Sequence, residues 1–186
     1  MKHTFQLLGV LILTLFFTAY TSCVSDVDFD QTQDVVISPN AVTDLIFFNL
    51  DTSDFENVDT PEIELSVQDT TRLEFLNDDF IRENLIEITL DFQVDNSFGQ
   101  SLVNRAAFIN SAGVEQYVVE FEIVASPDGT LQRTLFTEVI SLEDIQAISN
   151  SSQIANEVTL TTNGASINGE LIFQSKATYA LEFSDL

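Results

Sequence analysis

Residues 85–95, LIEITLDFQVD, alternate without a break. Ile86, Ile88, Leu90, Phe92 and Val94 share one parity and Glu87, Thr89, Asp91, Gln93 and Asp95 the other, the period of two that gives a strand one apolar and one polar face. Burial of each large apolar side chain contributes about 1.5–3 kcal/mol, an upper figure because an unfolded chain already hides some surface. The segment therefore predicts a strand of an antiparallel β-protein, with its core on the side of Leu90 and Phe92.

The rest of the chain reads as further strands joined by turns. Residues 43–50, TDLIFFNL, are apolar on both parities, which predicts a strand covered on both faces or crossing between sheets. Ile63, Leu65 and Val67 alternate with Glu62, Glu64 and Ser66, and residues 72–76 make a further short strand. Asn77-Asp78-Asp79 opens a turn or single helical turn that runs to Asn84. Asn96-Ser97-Phe98-Gly99 predicts a reversal that pairs residues 102–109 back against the central strand. On residues 115–125 the core parity is Tyr117, Val119, Phe121 and Ile123. Ser126-Pro127-Asp128-Gly129 predicts a tight hairpin into residues 131–140, so that these strands form a meander. Ser141 is the expected N-cap of a helix over 141–150, with Glu143 and Asp144 suited to its first turn and Leu142, Ile145 and Ile148 on one face. Residues 158–162 lead into a loop, and Leu171, Phe173, Ala177, Tyr179, Leu181 and Phe183 line the inward side of the last strand. The fold class expected is all-β: a single antiparallel β-sandwich of about eight or nine strands, Ig-like, with one short crossover helix.

The residue inventory narrows the chemistry. His3 is the only histidine and Cys23 the only cysteine, and both precede the expected sandwich. That leaves no His-based triad, no Cys-His pair, no His or Cys metal site and no internal disulfide. Thirty Asp and Glu against six Lys and Arg, a formal charge of −24, exclude nucleic acid and tight phosphate binding. Catalysis could rest only on carboxylates, hydroxyls and the few basic residues, which still permits a glycan hydrolase with a carboxylate pair. No cofactor is expected. Asp26, Asp28 and Asp30 do not form an EF-hand loop, because Gln31 and Thr32 stand around the position that needs Gly and Ile37 stands where the bidentate Glu belongs. The acids of the polar loop, Asp51, Asp54, Glu56 and Asp59, would be the ligands if calcium bound at all. Their spread predicts a solvated surface and no metal site.

Residues 5–17 are nearly all apolar, interrupted by Gln6, Gly9 and Thr14, a run of signal-peptide length and short of the roughly 20 residues that span a bilayer. Ala19-Tyr20-Thr21-Ser22-Cys23 follows. This stretch resembles the lipobox of bacterial lipoproteins, a resemblance that implies acylation of Cys23 and cleavage before it. Val24 after the cysteine fits transfer to the outer membrane. Val24-Ser25-Asp26-Val27-Asp28-Phe29-Asp30 is similar to the acidic tethers of uncharacterised Bacteroidetes and flavobacterial surface lipoproteins, which implies an export signal at Ser25, Asp26, Asp28 and Asp30. Asp69-Thr70-Thr71 matches the O-glycosylation acceptor pattern of the same bacteria and makes Thr70 the candidate site.

The domain plan is thus a signal peptide over 1–22, a lipid-anchored acidic tether and edge segment over 23–40, and the sandwich over 41–186. The functional expectation is a non-catalytic binding or structural module at the outer membrane, bound to the membrane through the lipid on Cys23, displayed at the cell surface or, as the alternative, facing the periplasm, and with an envelope protein or a glycan as partner. The alternative is an accessory subunit of an outer-membrane uptake or secretion complex that docks through strand edges.

Overall fold

The computed structural model describes residues 36–56, 66–161 and 167–183. The leader, Cys23 and the export signal, together with Ile63, Leu65 and Asp59, lie outside them. Eight strands are described: β1 (Asn40–Asp51), β2 (Ser66–Arg72), β3 (Leu85–Asn96), β4 (Leu102–Asn110), β5 (Glu115–Ile123), β6 (Gln132–Ile140), β7 (Ser151–Leu160) and β8 (Glu170–Leu181), with two short helices, α1 (Asp79–Asn84) and α2 (Leu142–Ile148). They form two antiparallel four-stranded sheets, ordered β1-β8-β3-β6 and β2-β7-β4-β5. The all-β antiparallel sandwich is as expected.

The strand order is that of a double-sheet jelly roll and replaces the Ig-like order. Only β4 and β5 are both consecutive and paired, so every other connection crosses from one sheet to the other. The expected β3–β4 hairpin is one of these crossings. Asn96 is fully buried, its Oδ1 accepting from the Phe98 amide at 2.9 Å and its Nδ2 donating to the Val124 carbonyl at 2.8 Å. Phe98 is also buried and sets its ring edge-on to Phe55. A buried aromatic in the turn draws the chain across the core, where a two-residue hairpin would have turned it back along the same sheet. Gly169 closes the corner, because a Cβ there would lie 2.7 Å from the Phe98 amide nitrogen.

The Ser126–Gly129 turn forms, with the Gly129 amide on the Ser126 carbonyl at 3.1 Å and φ of 75° at Gly129. It links β5 to β6 in the opposite sheet, so it is no hairpin and there is no meander beyond β4–β5. That side of the sandwich is closed by side chains. Phe121 stacks on Phe136 with centroids 4.7 Å apart, and the Tyr117 hydroxyl donates to Glu138 at 2.8 Å.

Two bulges change the expected parity. Between Leu85 and Glu87 the β3–β8 register shifts, which buries Leu85 (3 % exposed) and turns Ile86 outward (36 %). In β1 the register shifts between Asp44 and Phe47, opposite Ser175 of β8. The Ile46 amide donates to the Ser175 hydroxyl at 3.1 Å, so a polar residue on the inward parity of β8 satisfies the irregular backbone. The double-sided apolar run of β1 is this bulge on an edge strand. Ile46 and Leu50 are buried, whereas Phe47 is 66 % exposed.

Asp69, Thr70 and Thr71 belong to one continuous β2 strand, and residues 73–77 are a coil and a 3₁₀ turn where a separate strand was expected. Strand β7 begins at Ser151, well ahead of the expected position. Helix α2 buries Ile145 and Ile148 against β3 and β5, one strand from each sheet, but leaves Leu142 exposed, and Ser141 makes no side-chain cap bond. Asn104 and Asn156 are fully buried on the inward parity of β4 and β7, without a side-chain partner among the described residues.

Candidate binding face

The outer face of the β1-β8-β3-β6 sheet is built from the polar parity of each strand. Cross-strand register places these residues in rows. Phe47, Gln174, Gln93 and Leu135 form one row, and Asp44, Lys176, Asp91 and Thr137 the next. Side chains opposite one another in such rows stand about 4.5–5.5 Å apart at Cβ, so each row is a continuous surface. Between the rows lies an open depression of about 390 Å³.

Its groups are held in place by one another. Asp91 accepts from the Thr137 hydroxyl at 2.7 Å and lies 3.5 Å from the Lys176 ammonium. One row further, Arg133 grips Asp95 through two parallel bonds of 2.7 and 2.9 Å, the bidentate geometry that fixes a guanidinium. The Arg133 bond keeps the Asp95 carboxyl below the usual aspartate range, against the opposing effect of partial burial. The Gln93 amide also reaches Asp95, at 3.4 Å. The centre of the face therefore offers amides, a hydroxyl, carboxylates and an ammonium, with the apolar side chains of Phe47 and Leu135 at its two edges.

No family model matches the chain, and no curated protein matches it in sequence. Among solved structures it is similar to a Parabacteroides distasonis protein described as secreted, at 14 % identity over 61 % of this chain and 37 % of that one, with a TM-score of 0.47. It is also similar to the VP2 subviral particle of infectious bursal disease virus, at 12 % identity over 82 % and 34 %, with a TM-score of 0.38. A third is the enzymatically active domain of bacteriophage CBA120 tailspike protein 4, at 11 % identity over 80 % and 20 %, with a TM-score of 0.39. The chain spans about a third of the length of the first two and a fifth of the third.

The residues singled out from sequence fall elsewhere. Cys23, Ser25, Asp26, Asp28 and Asp30 are outside the described residues. Thr70 is exposed on β2, an edge strand, with its amide donating to Asp69 at 2.8 Å. Asp51 and Asp54 form a capping box around the 3₁₀ turn Thr52–Phe55. Bonds from Ser53 hold the Asp51 carboxyl below its ordinary range. Among the described residues no three His, Cys, Asp or Glu side chains gather closely enough to hold a metal ion, and no helix is long and apolar enough to cross a membrane. The outer-face residues escaped sequence reading because they come from four strands that only the register brings together. Their one signal was outward parity, as at Asp91, Gln93 and Lys176.

Proposed function

We propose that this chain is a lipid-anchored, non-catalytic binding module of the bacterial outer envelope, held by acyl chains on Cys23, exported by the Ser25-Asp26, Asp28 and Asp30 signal, and presenting the outer face of the β1-β8-β3-β6 sheet to a glycan. The observation that carries the ligand class is the adjacency of Gln93 and Gln174, directly opposite in register, beside Asp91, Lys176 and Thr137. Planar amides and carboxylates satisfy vicinal hydroxyls, and apolar side chains such as Leu135 receive the C–H face of a sugar ring. Two or more acyl chains are needed for stable anchoring, since one binds only marginally. The accessory-subunit reading draws support from the edge positions of β1 and β6 in one sheet and β2 and β5 in the other, which pair with no further strand among the described residues.

Two measurements test this. Palmitate labelling of the wild type and of Cys23→Ala should differ completely; label on the variant, or free release of the wild type, would remove the anchor. Envelope glycans titrated calorimetrically should bind the wild type, and Gln93→Ala/Gln174→Ala should weaken them at least about tenfold, or about 1.4 kcal/mol. Equal binding by both proteins would rule out this face, and cleavage of the glycan would make the protein an enzyme.

A further inference from the structure

The end of the sandwich at which the described chain begins carries a connected set of apolar side chains, exposed at Val36, Ile37 and Phe80 and half-buried at Phe183. Ile37 pairs with Phe183 through two backbone bonds of 3.1 and 2.9 Å, and the Phe183 ring stacks on Phe80 of α1 with centroids 5.0 Å apart. Val36 is 55 %, Ile37 44 % and Phe80 57 % exposed. Backbone bonds fix the group to the ends of three strands. The Leu181 amide donates to the Pro39 carbonyl at 3.0 Å and the Glu182 amide to the Asn84 carbonyl at 2.8 Å, just before β3 begins. No residue of α1 is fully buried; Ile81 packs part-buried against the core, and Phe80 is held outward.

Val36 follows Cys23 by thirteen positions, a reach of at most about 45 Å at full extension. An acylated Cys23 therefore keeps this end, more than any other part of the domain, within range of the bilayer. We infer that Val36, Ile37, Phe80 and Phe183 form a membrane-contact surface that seats this end of the sandwich against zwitterionic lipid and leaves the glycan-binding face directed sideways and clear of the bilayer. The inference rests on the lipid anchor proposed above. Charge selects the lipid: Asp78, Asp79, Glu83, Glu87 and Glu182 are exposed around the patch, and Arg82, the cation among them, is already paired with Asp79. Such a rim is repelled by anionic headgroups and tolerated by phosphatidylcholine or phosphatidylethanolamine.

The test uses the acylated full chain in phosphatidylcholine nanodiscs doped with a headgroup-spin-labelled lipid, read by NMR, with acylation of Cys23 confirmed by mass. Signals of Val36, Ile37, Phe80 and Phe183 should be lost to paramagnetic broadening, while those of Phe47 and Leu135, which are at least as exposed but lie on the sheet face, should remain. Phe80→Ser should restore the Ile37 signal without releasing the protein from the disc. An acylated, disc-bound protein broadened evenly, or first at Phe47 and Leu135, would overturn the contact surface and leave the anchor standing. Protection of the patch by a second copy of the chain in detergent would overturn it as well. A chain that carries no acyl group would overturn both.

Discussion

Leu90 is 1 % exposed, and Thr89, its neighbour in sequence, looks out from the other side of β3 between Thr178 and Val139. Leu90→Asp places an unpaired carboxylate between the sheets and should cost about 3–5 kcal/mol, whereas Thr89→Asp adds a solvated charge and should cost less than about 1 kcal/mol. Urea denaturation of both variants decides the matter: similar midpoints would mean that the parity is wrong. Ser175 shows where residue-level reading stops. On the inward parity of β8 it looks like an interruption between Phe173 and Ala177, yet its hydroxyl serves the Ile46 amide of the β1 bulge. The need for that hydroxyl arises on a strand 129 residues away. Asn104 and Asn156 are equally silent in the sequence, since polar side chains at core positions leave no periodic mark.

At the scale of elements, the strands themselves were legible and their partners were not. The sequence predicts strands over 115–125 and 131–140 with a turn between them, and β5, β6 and the turn are all present. The two strands lie in different sheets, joined by the Phe121–Phe136 stack and the Tyr117–Glu138 hydrogen bond. That bond makes a pH prediction. Burial, and secondarily the Glu138 carboxylate, push the Tyr117 phenol up from 10.0 to about 12. A group whose folded value is raised lends stability that is complete below its unfolded value and is lost as pH rises through the folded one. The contribution of Tyr117 should therefore be whole below pH 10 and disappear on the way to about 12. Urea unfolding at pH values rising through that window should show wild type losing stability faster than Tyr117→Phe. Parallel curves would mean that the hydroxyl does not bridge the two sheets. Helix α2 repeats the lesson: its place was read, but of its expected face only Ile145 and Ile148 are buried, because a helix seated between β3 and β5 covers the end of the core and leaves Leu142 in solvent.

At the scale of the whole molecule the governing quantity is charge. A chain at −24 repels itself and gains solubility, and among the described residues acids face water or are committed locally, as Asp51 and Asp54 are to the 3₁₀ turn and Asp95 is to Arg133. Calcium should therefore raise the melting temperature only gradually, without saturation, and magnesium should reproduce the effect. A true site filled to one hundred times its dissociation constant would contribute about 2.7 kcal/mol and shift the melt by several degrees. A saturating, calcium-specific rise at micromolar metal would refute the prediction and turn attention to Asp51, Asp54, Glu56 and Asp59.

What the sequence determined by itself is local. Away from the bulges, alternation set which residues of β3, β5 and β8 face the core, because side-chain direction in a regular extended chain follows parity. Turn residues set where strands end, and the inventory closes off histidine and cysteine chemistry in the described domain. Tertiary structure decided everything that needs two distant segments. It chose the jelly-roll order over the Ig-like one by burying Asn96 and Phe98 at the crossing. It placed the bulges at Leu85–Glu87 and Asp44–Phe47, and it assembled the outer face by setting Gln93 beside Gln174 and Asp91 beside Lys176. Each of these rests on pairing register, which is fixed by how two apolar faces fit together and by which backbone groups are satisfied inside, and neither property belongs to one strand alone.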